Sequence, residues 1–351
     1  MIARRMAVAV STAVLTISSA AGADDATLLK QARELFQPLT GDLGVAGTRD
    51  KKDQVHLGRL LFFEPRITVD GTVGCATCHQ PSFYGTDALA TSIGVKQRVH
   101  PRNAPTVLNA ALNFVNHWRG DRESVEDQAT QALTAPISSG HDERAVVDRL
   151  EHIPGYAPLF KAAFPGERSP ITVKNVGTVI GAFERTLITP SPFDAYLAGN
   201  LNALSATARV GLEKFINTGC VACHRGVGVG GDIYRKFGVL EDYRTVTGSR
   251  TVDKGRADVT KDPADLHVFR VAGLRNVAMT PPYFHDGSVA ALPDAVKIMA
   301  RVQLGVSLDH ADTSDIIAFL ASLTGELPAE FATAPVLPPG GVVGSATQLK
   351  E

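Results

Sequence analysis

Apolar residues recur at spacings of three and four over residues 25–36, 53–63, 143–153, 172–187 and 205–217, the period of one helix face. Two later stretches, 294–302 and 313–323, repeat it, and in the first of them Ala295, Ile298, Met299 and Val302 form a single stripe. Ser205 stands where an N-cap is wanted and Gly219 where a chain leaves a helix. Period-two alternation is sparse, so the pattern predicts a mainly α chain whose helices are separated by long loops rich in Gly and Pro. Residues 226–261, glycine-rich and then charged, have no readable period and are expected to form a long loop. From Pro328 onward Pro, Gly, Ala and Ser dominate, which predicts a surface tail over 328–351.

The first 23 residues follow a different logic. Arg4 and Arg5 precede an apolar stretch over 6–17, and Ala21-Gly22-Ala23 offers a small-x-small cleavage site. The stretch is too short, and too rich in Ser, Thr and Ala, for the ~20 apolar residues of a membrane span. An export signal over 1–23 is therefore expected, with a periplasmic mature chain and no membrane span. Loss of Arg4 and Arg5 leaves 33 basic against 36 acidic residues, so the formal charge moves from −1 to −3. With 44% hydrophobic and 20% charged residues the chain is globular rather than disordered, and no basic run suggests nucleic acid.

Only four cysteines occur, too few for a disulfide scaffold, and all lie in two copies of one pattern: Cys75-Ala76-Thr77-Cys78-His79 and Cys220-Val221-Ala222-Cys223-His224. Cys-x-x-Cys-His is the attachment signature of a c-type haem, two thiols for the porphyrin edge and an adjacent imidazole for the iron. A single zinc site would not need a His after each pair, and a redox Cys-x-x-Cys usually occurs once. Weak similarity between the halves, Arg102-Asn103 then His117-Trp118-Arg119-Gly120 against Arg275-Asn276 then Phe284-His285-Asp286-Gly287, suggests duplication of a one-haem unit. A sixth ligand decides what each haem does. For the second haem the candidates are Met299 and Met279. For the first, no Met follows His79, and His100 is the nearest histidine, so an open or weakly ligated iron is expected.

Taken together, these motifs resemble the bacterial dihaem cytochrome c peroxidase/MauG family. The resemblance runs through Leu57-Gly58-Arg59-Leu60-Leu61-Phe62, Ser92-Ile93-Gly94, Pro101-Arg102-Asn103-Ala104-Pro105-Thr106, Leu274-Arg275-Asn276-Val277, 280–287 and Ala295-Val296-Lys297-Ile298-Met299. It implies two cytochrome c-like domains, over 24–190 and 191–327, each wrapped around one covalent c-type haem. It implies Met299 as the axial ligand of the electron-transfer haem, Trp118 between the haems, and a calcium site from Asn103 with the carbonyls of Thr280 and Pro282. Gln128 matches the distal glutamine, whereas Ser138 falls where the family has a distal Glu, with Glu143 and His141 as nearby alternatives. Val95 replaces the family's switching histidine. The implied activity is hydrogen peroxide reduction with electrons from a small cytochrome c or cupredoxin. The alternatives are MauG-like oxidation of aromatic residues on a partner protein and a plain dihaem carrier. The family's habit also implies a homodimer.

Overall fold

The computed structural model describes residues 21–40 and 52–340. Most of the expected export signal and the last eleven residues of the expected tail lie outside these. The chain is helical, with α1 (Ala21–Leu35), α2 (Lys52–Phe62), α3 (Val125–Ala132), α4 (Glu143–Glu151), α5 (Tyr156–Ala163) and α6 (Val173–Glu184) in the first half. The second half holds α7 (Pro192–Leu197), α8 (Ala206–Thr218), α9 (Leu292–Met299), α10 (His310–Ala321) and α11 (Ala329–Ala332). Its one described sheet pairs β1 (Tyr234–Lys236) antiparallel to β2 (Val268–Arg270), with Arg235 opposite Phe269. Among the described residues no helix is long and apolar enough to cross a membrane.

Local chemistry sets the helix ends. Ser124, Asp142, Thr172, Ser205 and Asp309 each accept the backbone N–H three residues on, which satisfies one orphan donor of the first turn. Gly219 closes α8 at φ +96°, a conformation costly for a residue with a Cβ. The helix expected over 294–302 divides. α9 stops at Met299, and a wide π-turn over Ala300–Leu304 follows, ended by Gly305 at φ +67°.

Two apolar cores form, and the first and last described segments cross between them. The first gathers Leu57, Leu61, Phe62, Val179 and Phe183 around α2, α3 and α6, and it includes Phe331 of α11. The second gathers Phe193, Leu212, Phe215 and Phe319 around α8 and α10, and it includes Leu28, Ala32 and Phe36 of the α1 segment. The segment after Pro328 is therefore not a loose surface tail as far as residue 340. Phe331 is fully buried against Phe62, Arg59 binds the Glu330 carbonyl, and Arg66 binds the Pro338 carbonyl. One aromatic in an otherwise small-residue stretch was enough to anchor it.

The halves repeat each other closely. On α2, Gly58 lets the Val179 carbonyl and Phe183 approach; on α8, Gly211 does the same for the Asp315 carbonyl and Phe319. A methyl group at either glycine would strike the facing helix backbone. Left-handed Asn109 and Asn276, left-handed His117 and Phe284, Gly120 and Gly287, and the bridges Asn116–Arg122 and Tyr283–Val289 all share an offset of 167. This corrects one part of the expected register, because Asn276 answers Asn109 rather than Asn103, whereas His117-Trp118-Arg119-Gly120 does answer Phe284-His285-Asp286-Gly287. Sequence similarity at Arg-Asn was a coincidence of side chains, whereas the backbone conformations are not. The haem motifs are offset by 145, so the second half carries about 22 extra residues between its motif and Asn276. They fall in the stretch whose period could not be read.

Candidate functional site

Each Cys-x-x-Cys-His motif forms one tight turn. His79 N–H donates to the Cys75 carbonyl at 2.9 Å, and His224 N–H to that of Cys220 at 2.9 Å. This closure brings both cysteines and the histidine to one side, where each set lines a cavity. The first cavity, about 410 Å³, is lined by Cys75, Cys78, His79, Gln128, Ser138 and Glu184, among others. The second, about 280 Å³, is lined by Cys220, Cys223, His224 and Met299 within a largely apolar wall. Trp118, Asn103, Ala104, Pro105 and Thr106 line both.

All four thiols are unbridged. Burial pushes Cys75 up to about 12 and Cys78 and Cys220 up to about 11, which keeps these side chains as neutral thiols when nothing is bound to them. Among the described residues no cluster of three or more His, Cys, Asp or Glu could hold a metal ion by itself. Both imidazoles are held neutral by desolvation, His224 down to about 4. His79 Nδ1 lies 3.0 Å from the Gly85 carbonyl. Since a carbonyl only accepts, Nδ1 carries the proton and Nε2 keeps its lone pair for a metal. The backbone of Val229 and Ala272 faces the His224 ring, short of a full hydrogen bond at Nδ1.

The remaining expected residues separate clearly. Met299 lines the second cavity, while Met279 is 42% exposed and lines neither. Asn103, Thr280 and Pro282 all line the second cavity. Trp118 Nε1 donates to the Asn103 carbonyl at 2.9 Å, which fixes the indole in the shared wall. His100 lines the first cavity beside His79. Val95 is fully buried outside it, with its N–H on the Ile137 carbonyl. Neither Glu143 nor His141 lines the first cavity.

The acid that sequence reasoning missed is Glu184, at the end of α6. It is 4% exposed, lines the first cavity, and is pushed up to about 8 by burial and by the neighbouring Glu126 carboxylate. The adjacent cation offsets this only in part, because the Arg185 guanidinium is bidentate on Glu126. Its only sequence signal was a charged residue at an inward position of an apolar helix.

The structural repeat compares the cavities position by position. α3 and α9 are both eight residues long and share the offset of 167, so Ala132 answers Met299 and Gln128 answers Ala295. At the Gly58 and Gly211 crossings Phe183 answers Phe319, so Glu184 answers Leu320. All six of Ala132, Gln128, Glu184, Met299, Ala295 and Leu320 line their cavities.

Comparison with known proteins agrees with this geometry. Residues 52–202 match the family model described as di-haem cytochrome c peroxidase. The cytochrome c551 peroxidase of Nitrosomonas europaea is 40% identical over 88% of this chain and 89% of its own length. The chain belongs to the di-haem cytochrome c peroxidase family. Within that family it is also 34% identical to the methylamine utilization protein MauG of Methylorubrum extorquens, over 82% of both chains. Among solved structures, a MauG-like protein associated with microbial copper homeostasis superposes with a TM-score of 0.71 at 27% identity, covering 80% of this chain and 92% of that one. The diheme peroxidase BthA from Burkholderia thailandensis shares the fold, with a TM-score of 0.65 at 19% identity over 86% of this chain and 94% of its own.

Proposed function

We propose that this peroxidase family member works in the periplasm and reduces hydrogen peroxide in its first cavity, with electrons entering through the second. The observation that carries the reading is the shared wall, where Trp118 borders both a cavity with His79 and Gln128 and a cavity with His224 and Met299. Cys75 and Cys78 would attach one c-type haem, with His79 to hold its iron, and Cys220 and Cys223 a second, with His224 and Met299 to hold its iron. Bound there, the first haem supplies an iron open to peroxide and the second a high-potential electron store. Ala132 supports the open position, since the residue answering Met299 in the first half has no ligating atom. Peroxide cleavage also needs a proton moved between its oxygens. Gln128 can orient peroxide through its amide but cannot carry that proton, whereas Glu184 is held neutral and can.

Asn103 gives its side-chain N–H to the Leu89 carbonyl at 2.8 Å, which leaves Oδ1 as a hard oxygen donor. With the Thr280 and Pro282 carbonyls it would hold Ca2+ in the wall between the haems. The electron donor is a small cytochrome c or cupredoxin, and the homodimer is its expected assembly. A second reading, MauG-like oxidation of aromatic residues on a partner protein, is favoured by Val95, which leaves no switching histidine.

The test is peroxide addition to the haem-loaded protein with and without reduced cytochrome c or cupredoxin. Rapid donor oxidation without prior reductive activation supports peroxidase action. Oxidised protein that persists and ignores both donors would favour the MauG-like reading. A resting ferric spectrum with no high-spin component would overturn the open first iron. Met299→Ala should change the spectrum of one haem alone, and an unchanged spectrum would remove Met299 as ligand.

A further inference from the structure

α9 ends on Met299, and the residues that follow do not wind on as an α-helix. Gly305 N–H reaches back to the Ala300 carbonyl, so Ala300–Leu304 form a π-turn. Such wide turns are rare and concentrate at functional sites. The first half differs at this point. Past Ala132, which answers Met299, Thr134 N–H bonds the Gln131 carbonyl and Ala135 N–H the Ala132 carbonyl, each at 3.3 Å, so the chain tightens instead. The wide turn belongs to the half that carries the methionine.

The extra residues of the second half fold onto this turn, and the Gln303 side chain joins the two. Its Oε1 accepts from Gly238 N–H at 2.6 Å and from Val239 N–H at 3.2 Å, while its Nε2 donates to the Lys236 carbonyl at 3.0 Å. These partners fix which way the amide points, since a backbone N–H can only donate and a carbonyl only accept. Beside it, Leu240 N–H bonds the Val302 carbonyl at 3.0 Å. Val302 is fully buried in one cluster with Phe237 and Tyr243, and Met299 packs against that cluster. At the rim Arg301 pairs with Glu241 through two bonds of 2.7 Å, but its side chain is 60% exposed, where such a pair contributes little.

We propose that Gln303 is a positioning residue for Met299, tying the π-turn to the extra residues so that α9 ends where its last side chain is presented to the second cavity. The proposal rests on the reading of Met299 as a ligand of the second haem, and goes beyond it by naming what restrains the thioether. Methionine is unbranched and turns about three side-chain bonds, so its own rotamers give little restraint. The backbone that carries it must therefore be held, and a π-turn left to itself holds poorly. The first half has an alanine at this place and needs no such tie.

The experiment titrates the ferric, haem-loaded protein with imidazole, which displaces a thioether from iron. It is followed at the long-wavelength sulfur-to-iron absorption that a methionine-ligated haem shows and an open haem lacks. In Gln303→Ala the band should vanish at a roughly ten- to hundredfold lower imidazole concentration than in wild type, the usual effect of losing a group that orients a ligand. The potential of that haem alone should fall. Arg301→Ala should follow wild type, and a shift as large as that of Gln303→Ala would overturn the assignment to Gln303. A role in folding alone would lower the melting temperature and leave the imidazole curve of Gln303→Ala unmoved, which also overturns the proposal. Should Gln303→Ala not take up both haems, Gln303→Glu carries the test, because it keeps the accepting oxygen and loses the bond to Lys236. A smaller shift in the same direction then supports the proposal, and an unmoved curve refutes it. Wild type without the band, or a band that persists in Met299→Ala, would refute the ligand reading beneath it instead.

Discussion

Replacement of Glu184 by Gln isolates the ionisation of a single buried carboxyl. In the folded protein this group titrates near 8, against an ordinary value near 4.5. Burial and the Glu126 carboxylate disfavour its charged form, and Arg185, paired with Glu126, compensates only in part. The sign follows directly. Below about pH 4.5 folded and unfolded chains both hold the proton, and stability does not depend on this group. Above that, the unfolded chain releases it and the folded chain does not, so stability falls until the pH passes about 8. The gap between the two values corresponds to an upper bound of about 5 kcal/mol. Gln preserves the shape and removes the titration, so its stability relative to wild type should rise steadily between pH 5 and 8 and then level. Thermal unfolding of the haem-loaded proteins across this range measures it. If Glu184 also supplies the proton that Gln128 cannot carry, wild-type peroxide turnover should fall as pH rises through about 8, while the variant stays low and flat. Parallel melting profiles for the two proteins would refute the buried-acid argument altogether.

Three further substitutions test the fold and the asymmetry of the cavities. Ala132→Met places a thioether at the position answering Met299, so the high-spin ferric signal should disappear together with peroxide turnover, read by visible spectroscopy and donor oxidation. Arg275→Ala strands Asp194, whose carboxylate otherwise accepts two guanidinium bonds at 2.7 and 2.8 Å and the Leu39 N–H at 2.6 Å, and should cost about 3–5 kcal/mol in urea unfolding. That pair holds Asp194 below its usual range, so its contribution should be full at neutral pH and lost as pH falls through the depressed value. Phe331→Ala should cost about 3–5 kcal/mol by opening a cavity beside Phe62, and an effect near zero would show that the terminal segment only lies on the surface.

Much of this was legible in the sequence because the signals were local. The periods over 53–63, 143–153, 172–187, 205–217 and 313–323 mark helices that form within a few residues of those limits, and Ser205 and Gly219 act as the caps their chemistry suggests. The helix α3 escaped notice because its inward residues, Val125, Ala129 and Ala132, make too slight an apolar stripe among Glu, Asp and Gln. The motifs likewise located both cavities. What composition and spacing could not supply was any relation that depends on long-range packing. The crossing of the first and last described segments, the neutral Glu184 and the true register of the repeat each require knowing which backbone faces which, and that is settled by tertiary contacts rather than by propensity.

Under the proposed function, that register would let one duplicated unit serve two opposed tasks. Both halves keep the same helix crossing under a glycine and the same closure of the haem motif, so the scaffolds holding His79 and His224 are equivalent. Among the inward positions at which they differ, three bear on the chemistry. Where the second half has Met299, Ala295 and Leu320, the first has Ala132, Gln128 and Glu184. Each exchange acts in the same direction, since a ligand becomes space, an apolar wall gains an amide, and another gains a proton. A site that only carries electrons is best closed and dry, whereas a site that cleaves peroxide needs room, a hydrogen-bond donor and an acid. The two-fold relation also pairs the main-chain contacts of the shared wall. Asn103 N–H bonds the His285 carbonyl at 2.8 Å, and Arg270 N–H, its counterpart, bonds the Trp118 carbonyl at 2.9 Å. Trp118 and His285 are therefore held by reciprocal bonds across the joint between the halves. Any shift of one half against the other would move both rings together, so under the proposed function the electron path between the cavities would be fixed by the same contacts that join them.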